Sequence, residues 1–245
     1  MRLTCLALGL CALLPLHLLA ADSPHALDEF DAMIKLGEDR LIMGDTHGIL
    51  HVYEIRDEGY DEVWTSEYME GAISGLFIGD PDGDGQQDIV VYTETGRLHY
   101  LETKKYTTIW SNPPNEYDRI TALTLANIDD DEQDELIFCA DGRLIIYDGR
   151  DQFEEWRSDQ TNIAATDIIV ADVDGDDEAE LVLNSGHVFD ARFHDLEWQS
   201  PESFGERMGV IDLDDDGIAE IVGEFRGRFI RVFEIDLRRE KSVKR

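Results

Sequence analysis

Basic residues are scarce in this sequence. Its 245 residues include 21 Lys and Arg against 55 Asp and Glu, which gives a formal net charge of −34. Recognition of nucleic acid needs a basic surface that contacts phosphates, so the composition excludes a generic binder of DNA or RNA. The same charge argues against binding to an anionic membrane surface. Hydrophobic residues still make up 42% of the chain, which excludes a charged disordered tail.

Cysteine is rarer still, with only Cys5, Cys11 and Cys139. Residues 1–21 combine one Arg, a long apolar run and small residues before Asp22, a pattern that predicts a cleaved secretory signal peptide. An uncleaved membrane anchor is the alternative. Cleavage would leave Cys139 alone, so no intrachain disulfide is expected. We expect a secreted or periplasmic protein with no membrane span after signal removal.

Four acidic nonapeptides of the form D-x-D-x-D-G-x-x-[DE] recur about every 45 residues. Internal recurrence at this period is typical of solenoids and propellers. The segments are called loops 1 to 4, and they are Asp80–Asp88, Asn127–Glu135, Asp172–Glu180 and Asp212–Glu220.

The flanks of the loops also recur. Two apolar residues spaced by two precede each loop, and a short apolar run follows it, as in Ile89–Val91 after loop 1. Both patterns predict strands that face a core. Cys139 falls in such a run, so we predict that it is buried. A glycine and a third apolar run come next, which indicates a hairpin. The turn glycines are Gly96, Gly142, Gly186 and Gly227.

All four tryptophans follow the same spacing, so they predict a fourth strand in each unit. Packing between neighbouring units is favoured over a sugar-stacking role because the position is periodic. The residues are Trp64, Trp110, Trp156 and Trp198.

A first, degenerate unit contains Met33–Met43 with a shortened loop and then Gly48–Tyr53, and Trp64 closes it. Five units of four strands predict an all-β fold, a β-propeller of about five four-stranded blades. One domain is expected over residues 22–237, followed by a basic tail over 238–245 that could fray, dock a partner or supply a missing strand. The five units cover about 32–66, 73–111, 120–158, 165–200 and 205–235.

The acidic loops have the chemistry of a site for a hard cation. Carboxylates at positions one, three, five and nine can converge, and glycine at position six lets the seventh carbonyl turn inward. Oxygen ligands of this number suit Ca²⁺, whereas zinc and copper would require His or Cys. The candidate ligands are Asp80, Asp82, Asp84, Gln86, Asp88, Asn127, Asp129, Asp131, Gln133, Glu135, Asp172, Asp174, Asp176, Glu178, Glu180, Asp212, Asp214, Asp216, Ile218 and Glu220.

The loops differ in quality. Loops 1 and 4 have the full set of acids and a glycine at position six. Loop 3 has Asp177 there, which tolerates left-handed geometry. Loop 2 begins with the neutral Asn127 and has Glu132 at position six, so it is the weakest candidate. Four solvated acidic turns without metal are the alternative.

These units resemble the calcium-binding β-propeller repeats called FG-GAP or VCBS repeats, which occur in integrin alpha subunits and in secreted bacterial proteins. The resemblance covers roughly residues 32–235. It implies that loops 1 and 4 bind Ca²⁺ at one edge of a blade, between its first two strands. Loop 2 fits the family pattern poorly, and the first unit lacks the loop.

The sequence contains little that indicates catalysis. It has no phosphate-binding glycine loop, no nucleophile elbow and no His-x-x-x-His pair. His47, His99 and His187 lie at or near predicted hairpin turns, where we expect them to be exposed to solvent. No catalytic residue is therefore assigned.

We expect a non-enzymatic scaffold that binds a protein with a basic contact face. Two alternatives remain: a carbohydrate-active enzyme such as a Ca-dependent polysaccharide lyase, and a subunit of an adhesin-like surface assembly. Binding would lie on the variable connections after the third strands, which mix charges and have no common chemistry, as suits a protein surface better than a repeated sugar site. These are Arg56–Asp61, Lys104–Thr107, Arg150–Glu154 and Arg192–Asp195.

Overall fold

The computed structural model describes residues 30–129, 131–235 and 239–244. Within these ranges the chain forms twenty β-strands and no helix, so the all-β prediction is confirmed. No helix capable of crossing a membrane occurs in this part of the protein. The predicted signal peptide, residues 1–21, lies outside the described residues.

The strands form five sheets, each of four antiparallel strands in chain order. Sheet 1 holds β1 (Phe30–Leu36), β2 (Arg40–Asp45), β3 (Leu50–Arg56) and β4 (Gly59–Thr65). Sheet 2 holds β5 (Ile73–Gly79), β6 (Asp88–Thr93), β7 (Leu98–Glu102) and β8 (Thr108–Ser111). Sheet 3 holds β9 (Ile120–Ala126), β10 (Glu135–Ala140), β11 (Arg143–Asp148) and β12 (Phe153–Arg157).

The last two sheets follow the same order. Sheet 4 holds β13 (Ile168–Ala171), β14 (Glu180–Leu183), β15 (His187–Asp190) and β16 (Leu196–Gln199). Sheet 5 holds β17 (Arg207–Ile211), β18 (Glu220–Phe225), β19 (Phe229–Glu234) and β20 (Arg239–Lys244). The sequence left open whether residues 238–245 form a tail or a fourth strand. They contain β20, which pairs with β19 along its whole length.

The hydrophobic core is divided among the contacts between consecutive sheets. Four clusters of buried side chains lie between sheets 1 and 2, 2 and 3, 3 and 4, and 4 and 5. The first strands of successive sheets also contact one another, β1 with β5, β5 with β9, β9 with β13 and β13 with β17. Sheets 2, 3 and 4 therefore pack against a neighbouring sheet on both sides, as expected for repeated units that stabilise one another.

The second strands of sheets 2, 3 and 4 are buried along their whole length. Every residue of β6, β10 and β14 is buried, which explains the continuous apolar runs after loops 1 to 3. Cys139 lies in β10 with no exposed surface, so its predicted burial is confirmed. A tight turn then returns the chain at a glycine with a positive φ. These glycines include all four that were predicted, Gly96, Gly142, Gly186 and Gly227.

Each tryptophan lies on the fourth strand of its sheet, as predicted, and marks a break in the strand pairing. Trp110 faces Tyr100, but the next pair is Leu101 with Thr108, so Ile109 forms a bulge. The same shift follows the tryptophan pair in sheets 1, 3 and 4. Sheet 5 has no tryptophan, and the register between β19 and β20 is regular. A bulge bends its strand and increases the twist.

The predicted role of these tryptophans in packing between units is confirmed. Each ring contacts an aromatic ring of the following sheet or of the connection that belongs to it, at centroid distances from 5.0 to 6.2 Å. The pairs are Trp64 with Tyr106, Trp110 with Tyr147, Trp156 with Phe189 and Trp198 with Phe233.

Candidate metal centres

The four acidic loops occupy equivalent places in the fold. Each connects the first strand of its sheet to the second, in sheets 2 to 5. Sheet 1 has only the short turn Gly37–Asp39 at this place. Because the strands of each sheet alternate in direction, the acidic loop lies at the same end of the sheet as the connection between the third and fourth strands.

In loops 1, 3 and 4 the first aspartate closes the loop by accepting backbone N–H groups. Its side chain accepts the N–H of the sixth residue at 2.8 Å from Gly85, 3.0 Å from Asp177 and 3.1 Å from Gly217. Loop 2 begins with Asn127, whose amide instead donates to the Asp131 carbonyl at 2.7 Å. The neutral residue therefore changes how loop 2 closes, consistent with its predicted difference from the others.

The backbone at the sixth position behaves as the sequence predicted. Gly85 has a φ of 79° and Gly217 a φ of 96°. Asp177 also takes a left-handed conformation, with a φ of 69°. Glu132 has no positive φ. A non-glycine residue bears a cost of roughly 1–2 kcal/mol in the left-handed region, so Asp177 is retained there at some expense in stability.

The carboxylates of each loop converge. One oxygen from each of three residues lies within 4.8 Å of the others in all four loops, a spacing at which they could hold a metal ion. The groups are Asp80, Asp82 and Asp84; Asp129, Asp131 and Glu135; Asp172, Asp174 and Glu180; and Asp212, Asp214 and Asp216.

The remaining predicted ligands lie beside these groups. In every loop the backbone N–H of the residue at position seven donates to the aspartate at position five. The distances are 2.7 Å for Gln86, 3.0 Å for Gln133, 2.9 Å for Glu178 and 2.9 Å for Ile218. Asp176 therefore holds the Glu178 backbone but is not part of the converging group of loop 3. Glu220 accepts the Leu213 N–H at 2.8 Å and also lies outside its converging group.

The ninth residue of each loop is unusual because it is a buried acid at the start of the second strand. Asp88 is only 3% exposed and Glu135 only 1%. Burial, followed by repulsion from Asp82, Asp84 and Asp80, raises the pKa of Asp88 to about 7. Burial likewise raises the pKa of Glu135 to about 7 and that of Glu180 to about 8.

One oxygen of each of two ninth-position acids has no hydrogen-bond partner. Oδ2 of Asp88 and Oε1 of Glu135 are buried without one. A buried, unpaired carboxylate oxygen is costly, and a bound cation would satisfy it. The donor set of the loops therefore fits a hard cation, because it consists of oxygen atoms and carries several negative charges.

Two of the three histidines predicted to be exposed are buried. His47 is exposed, but His99 and His187 lie in β7 and β15 and are almost covered. Their ring nitrogens are held by residues of the same sheet: Nδ1 of His99 lies 2.7 Å from Oγ of Ser111, and Nε2 of His187 lies 3.0 Å from Nε2 of Gln199. The predicted exposure was wrong for His99 and His187 because a fourth strand pairs with the strand that carries each histidine and supplies a partner for its ring.

Two of the four stretches predicted as connections after the third strands run into the fourth strand, since Tyr60 lies in β4 and Phe153 in β12. The four stretches share a feature that was not predicted. Each contains one aromatic residue. Tyr106 is buried, where it packs on Trp64. The other three side chains are exposed: Tyr60 by 44%, Phe153 by 48% and Phe193 by 66%. The aromatic residue in every stretch was the signal that could have shown the common chemistry.

Comparisons with known proteins bear on the fold alone. No protein-family model and no curated protein matches the chain. Among solved structures, the computationally designed Ika8 protein is 13% identical, with a TM-score of 0.60 over 87% of this chain and 61% of that one. BBS1N, solved in complex with ARL6DN, is 12% identical, with a TM-score of 0.59 over 84% and 64%. Sqt1 of Saccharomyces cerevisiae is 11% identical, with a TM-score of 0.61 over 85% and 60%. The chain thus spans about three fifths of the length of the solved structures it matches.

Proposed function

We propose that the protein is a calcium-stabilised β-propeller scaffold that binds a protein partner without catalysing a reaction. The five sheets are its blades. The support is their strictly consecutive order, the contacts between successive first strands and the core placed between each pair of sheets. These are the features expected of blades arranged around an axis.

The observation that carries the calcium assignment is the pair of buried, unpartnered oxygens of Asp88 and Glu135 beside converging carboxylates. Ca²⁺ accepts six to eight oxygen ligands in flexible geometry, whereas Mg²⁺ demands a near-ideal octahedron. Loops of nine residues with carboxylate, carbonyl and water ligands suit the larger ion. Bound calcium would neutralise the repulsion within each loop and join its two strands.

The acidic loops lie between the first two strands of their sheets, which is where the FG-GAP or VCBS resemblance would put them. We therefore propose that the chain is a divergent relative of those repeats. Export to the periplasm or the medium is part of the same proposal, since those compartments hold calcium at the concentrations that weak external sites require.

The partner-binding surface in this proposal is the end of the sheets that carries the acidic loops. Aromatic residues are enriched in protein–protein interfaces relative to the rest of a protein surface. Tyr60, Phe153 and Phe193 supply them here, next to a high density of negative charge. A partner with a basic contact face that presents apolar side chains would complement both features.

Two measurements test the function. Calorimetric titration of chelator-treated protein should show uptake of Ca²⁺ and much weaker uptake of Mg²⁺; absence of calcium uptake would remove the basis of the metal assignment. The second is capture from an envelope extract in calcium, followed by identification of the retained proteins and assay of acidic polysaccharides for cleavage. A retained basic protein that dissociates as salt is raised supports the scaffold.

Variants locate the surface. Phe153→Ser with Phe193→Ser should abolish capture and lower the melting temperature only slightly, because both side chains are largely exposed. Tyr68→Ser is the matched control, since Tyr68 is 63% exposed but lies in the connection between β4 and β5, at the other end of the sheets. Calcium-dependent cleavage of a polysaccharide without a retained protein would favour the lyase instead.

A further inference from the structure

Loops 1 and 2 are joined by a pair of hydrogen bonds between different sheets. The Asp134 carboxylate accepts the backbone N–H of Asp80 through Oδ2 at 3.1 Å. The backbone N–H of Asp134 donates in return to the Asp80 carbonyl, also at 3.1 Å. Asp80 is the first acid of loop 1 and belongs to its converging group, whereas Asp134 lies between the proposed ligands Asp131 and Glu135 of loop 2.

Further contacts fix the beginning of loop 1 against sheet 3. A side chain on Gly83 would lie 3.3 Å from Oε1 of Gln133, and one on Gly149 would collide with the Pro81 carbonyl. Gln133 is itself buried and donates to Asp148 at 3.2 Å. The first residues of loop 1 therefore rest on loop 2 and on the turn after β11, with little room to move independently.

The other loops lack this link. Asp134 occupies the eighth position of its loop, and the equivalent residues of loops 3 and 4 are Ala179 and Ala219, whose side chains cannot accept a hydrogen bond. Between loops 3 and 4 the contact is apolar: a side chain on Gly175 would lie 2.6 Å from Cδ1 of Ile218. Hydrogen bonding through an eighth-position carboxylate is thus a feature of the pair formed by loops 1 and 2. We call the two hydrogen bonds between Asp134 and Asp80 the brace.

We propose that Asp134 couples the cation sites of loops 1 and 2, so that a cation bound in either loop raises the affinity of the other. The inference rests on the proposed function in one respect, that the loops bind a cation. A cation held by Asp131 and Glu135 fixes the backbone on both sides of Asp134. The fixed carboxylate and N–H of Asp134 then hold Asp80 in its binding position before a cation enters loop 1.

The sign of the effect separates this mechanism from simple electrostatics. Two divalent cations in neighbouring loops repel, so the charges alone would make the second ion bind more weakly. The brace has the opposite effect because it removes an ordering cost from the second site. Linkage also makes the coupling reciprocal: the factor by which loop 2 improves loop 1 equals the factor by which loop 1 improves loop 2.

Calcium titration by calorimetry can measure the coupling in the full chain with loops 3 and 4 inactivated by Asp172→Ala and Asp212→Ala. In this background, Asp131→Ala inactivates loop 2 and should weaken calcium binding at loop 1 by about five-fold or more. Asp84→Ala inactivates loop 1 and should weaken loop 2 by the same factor.

The decisive variant is Asp134→Ala, which creates the residue found in loops 3 and 4. It should weaken loop 1 as much as Asp131→Ala does, and the two changes together should weaken it no further. Asp134→Asn keeps an acceptor oxygen and should restore the coupling. Glu132→Ala is the matched control, because it removes an exposed acid of the same loop and should leave loop 1 unchanged.

Exchange of the Asp80 amide hydrogen gives a readout that does not require loop 1 to bind calcium. In the Asp84→Ala variant, added calcium should slow this exchange through loop 2, and Asp134→Ala should abolish the slowing. Equal affinity of loop 1 with and without loop 2, in protein that binds calcium, would overturn the coupling alone. Wild-type protein that takes up no calcium would instead overturn the proposed function.

Discussion

The indole ring of Trp110 packs on the ring of Tyr147 in the next sheet, with centroids 5.5 Å apart. Trp110 also lies 4.7 Å from Tyr100 of its own sheet, so one side chain joins two sheets. Trp110→Ala should destabilise the protein by about 3 kcal/mol, the lower end of the range for loss of a core aromatic, because the indole ring is only partly buried. Denaturant unfolding in excess calcium measures the change.

Ile109→Ala is the matched control for this prediction. Ile109 precedes Trp110 in β8 but is 46% exposed at the bulge, so its truncation should cost much less. Equal losses for the two variants would mean that the packing between sheets 2 and 3 does not depend on the tryptophan.

Neutralising the buried ninth-position acids should have opposite effects with and without calcium. Burial raises the pKa of Asp88 and of Glu135 to about 7, well above their values in the unfolded chain. The folded, metal-free protein then holds protons that the unfolded chain releases, so its stability falls as pH rises from about 4 to about 7. Asp88→Asn and Glu135→Gln remove this cost.

At pH 8 each amide variant should melt above the wild type in chelator and below it in excess calcium, because the variant lacks a ligand. Thermal unfolding in both buffers checks this crossing. A variant that melts below the wild type in both buffers would show that the carboxylate is paired in the metal-free fold. An exposed acid, as in Glu132→Gln, should show neither effect.

The energetic cost of a left-handed backbone at the sixth position can be measured at Gly217, where an added side chain would not collide with its surroundings. A side chain on Gly217, whose φ is 96°, would meet nothing within 4 Å. Gly217→Ala should therefore cost roughly 1–2 kcal/mol from the backbone alone and weaken calcium binding at loop 4. Gly209 in β17 also has open space around it but no positive φ, so Gly209→Ala should be neutral or stabilising. Similar behaviour of the two variants would contradict the conformational argument.

Local periodicity was sufficient to predict the acidic loops and the strands other than β20. The signals were apolar residues spaced by two, the turn glycines and the tryptophans. Each of them reports contacts within one sheet, where the paired strands are close in sequence. β20 was harder to predict, because Arg239–Lys244 contains one apolar residue and its strand depends on backbone pairing with the edge of β19. Charged residues on a sheet edge give no alternating apolar pattern.

The contacts of the candidate site could not be predicted in the same way. Asp134 and Asp80 are 54 residues apart, and their hydrogen bonds depend on how sheets 2 and 3 are placed. The nonapeptide pattern assigns Asp134 no role, because the eighth position is variable. The sequence predicted that the carboxylates within a loop converge, and in loops 1, 3 and 4 three of the four predicted carboxylates do so. The contact between loops depends on tertiary structure.

Buried histidines should make the calcium-loaded protein sensitive to mild acid. Burial lowers the pKa of His99, and the neighbouring Arg97 also lowers it, against a hydrogen bond to the Met69 carbonyl and the charge of Glu70, which raise it. The unfolded chain therefore takes up a proton near the ordinary histidine pKa, where the folded protein does not. Stability contributed by His99 is present above that pKa and is lost as pH falls through it.

The comparison of His99→Gln with the wild type isolates this effect. Both proteins are unfolded by denaturant in saturating calcium from pH 7.5 to 5, and the difference in unfolding free energy is followed with pH. The wild type should lose more stability than the variant over this range, so the cost of the substitution shrinks toward low pH. A cost for His99→Gln that stays constant with pH would show that His99 takes up its proton equally in the folded and unfolded states.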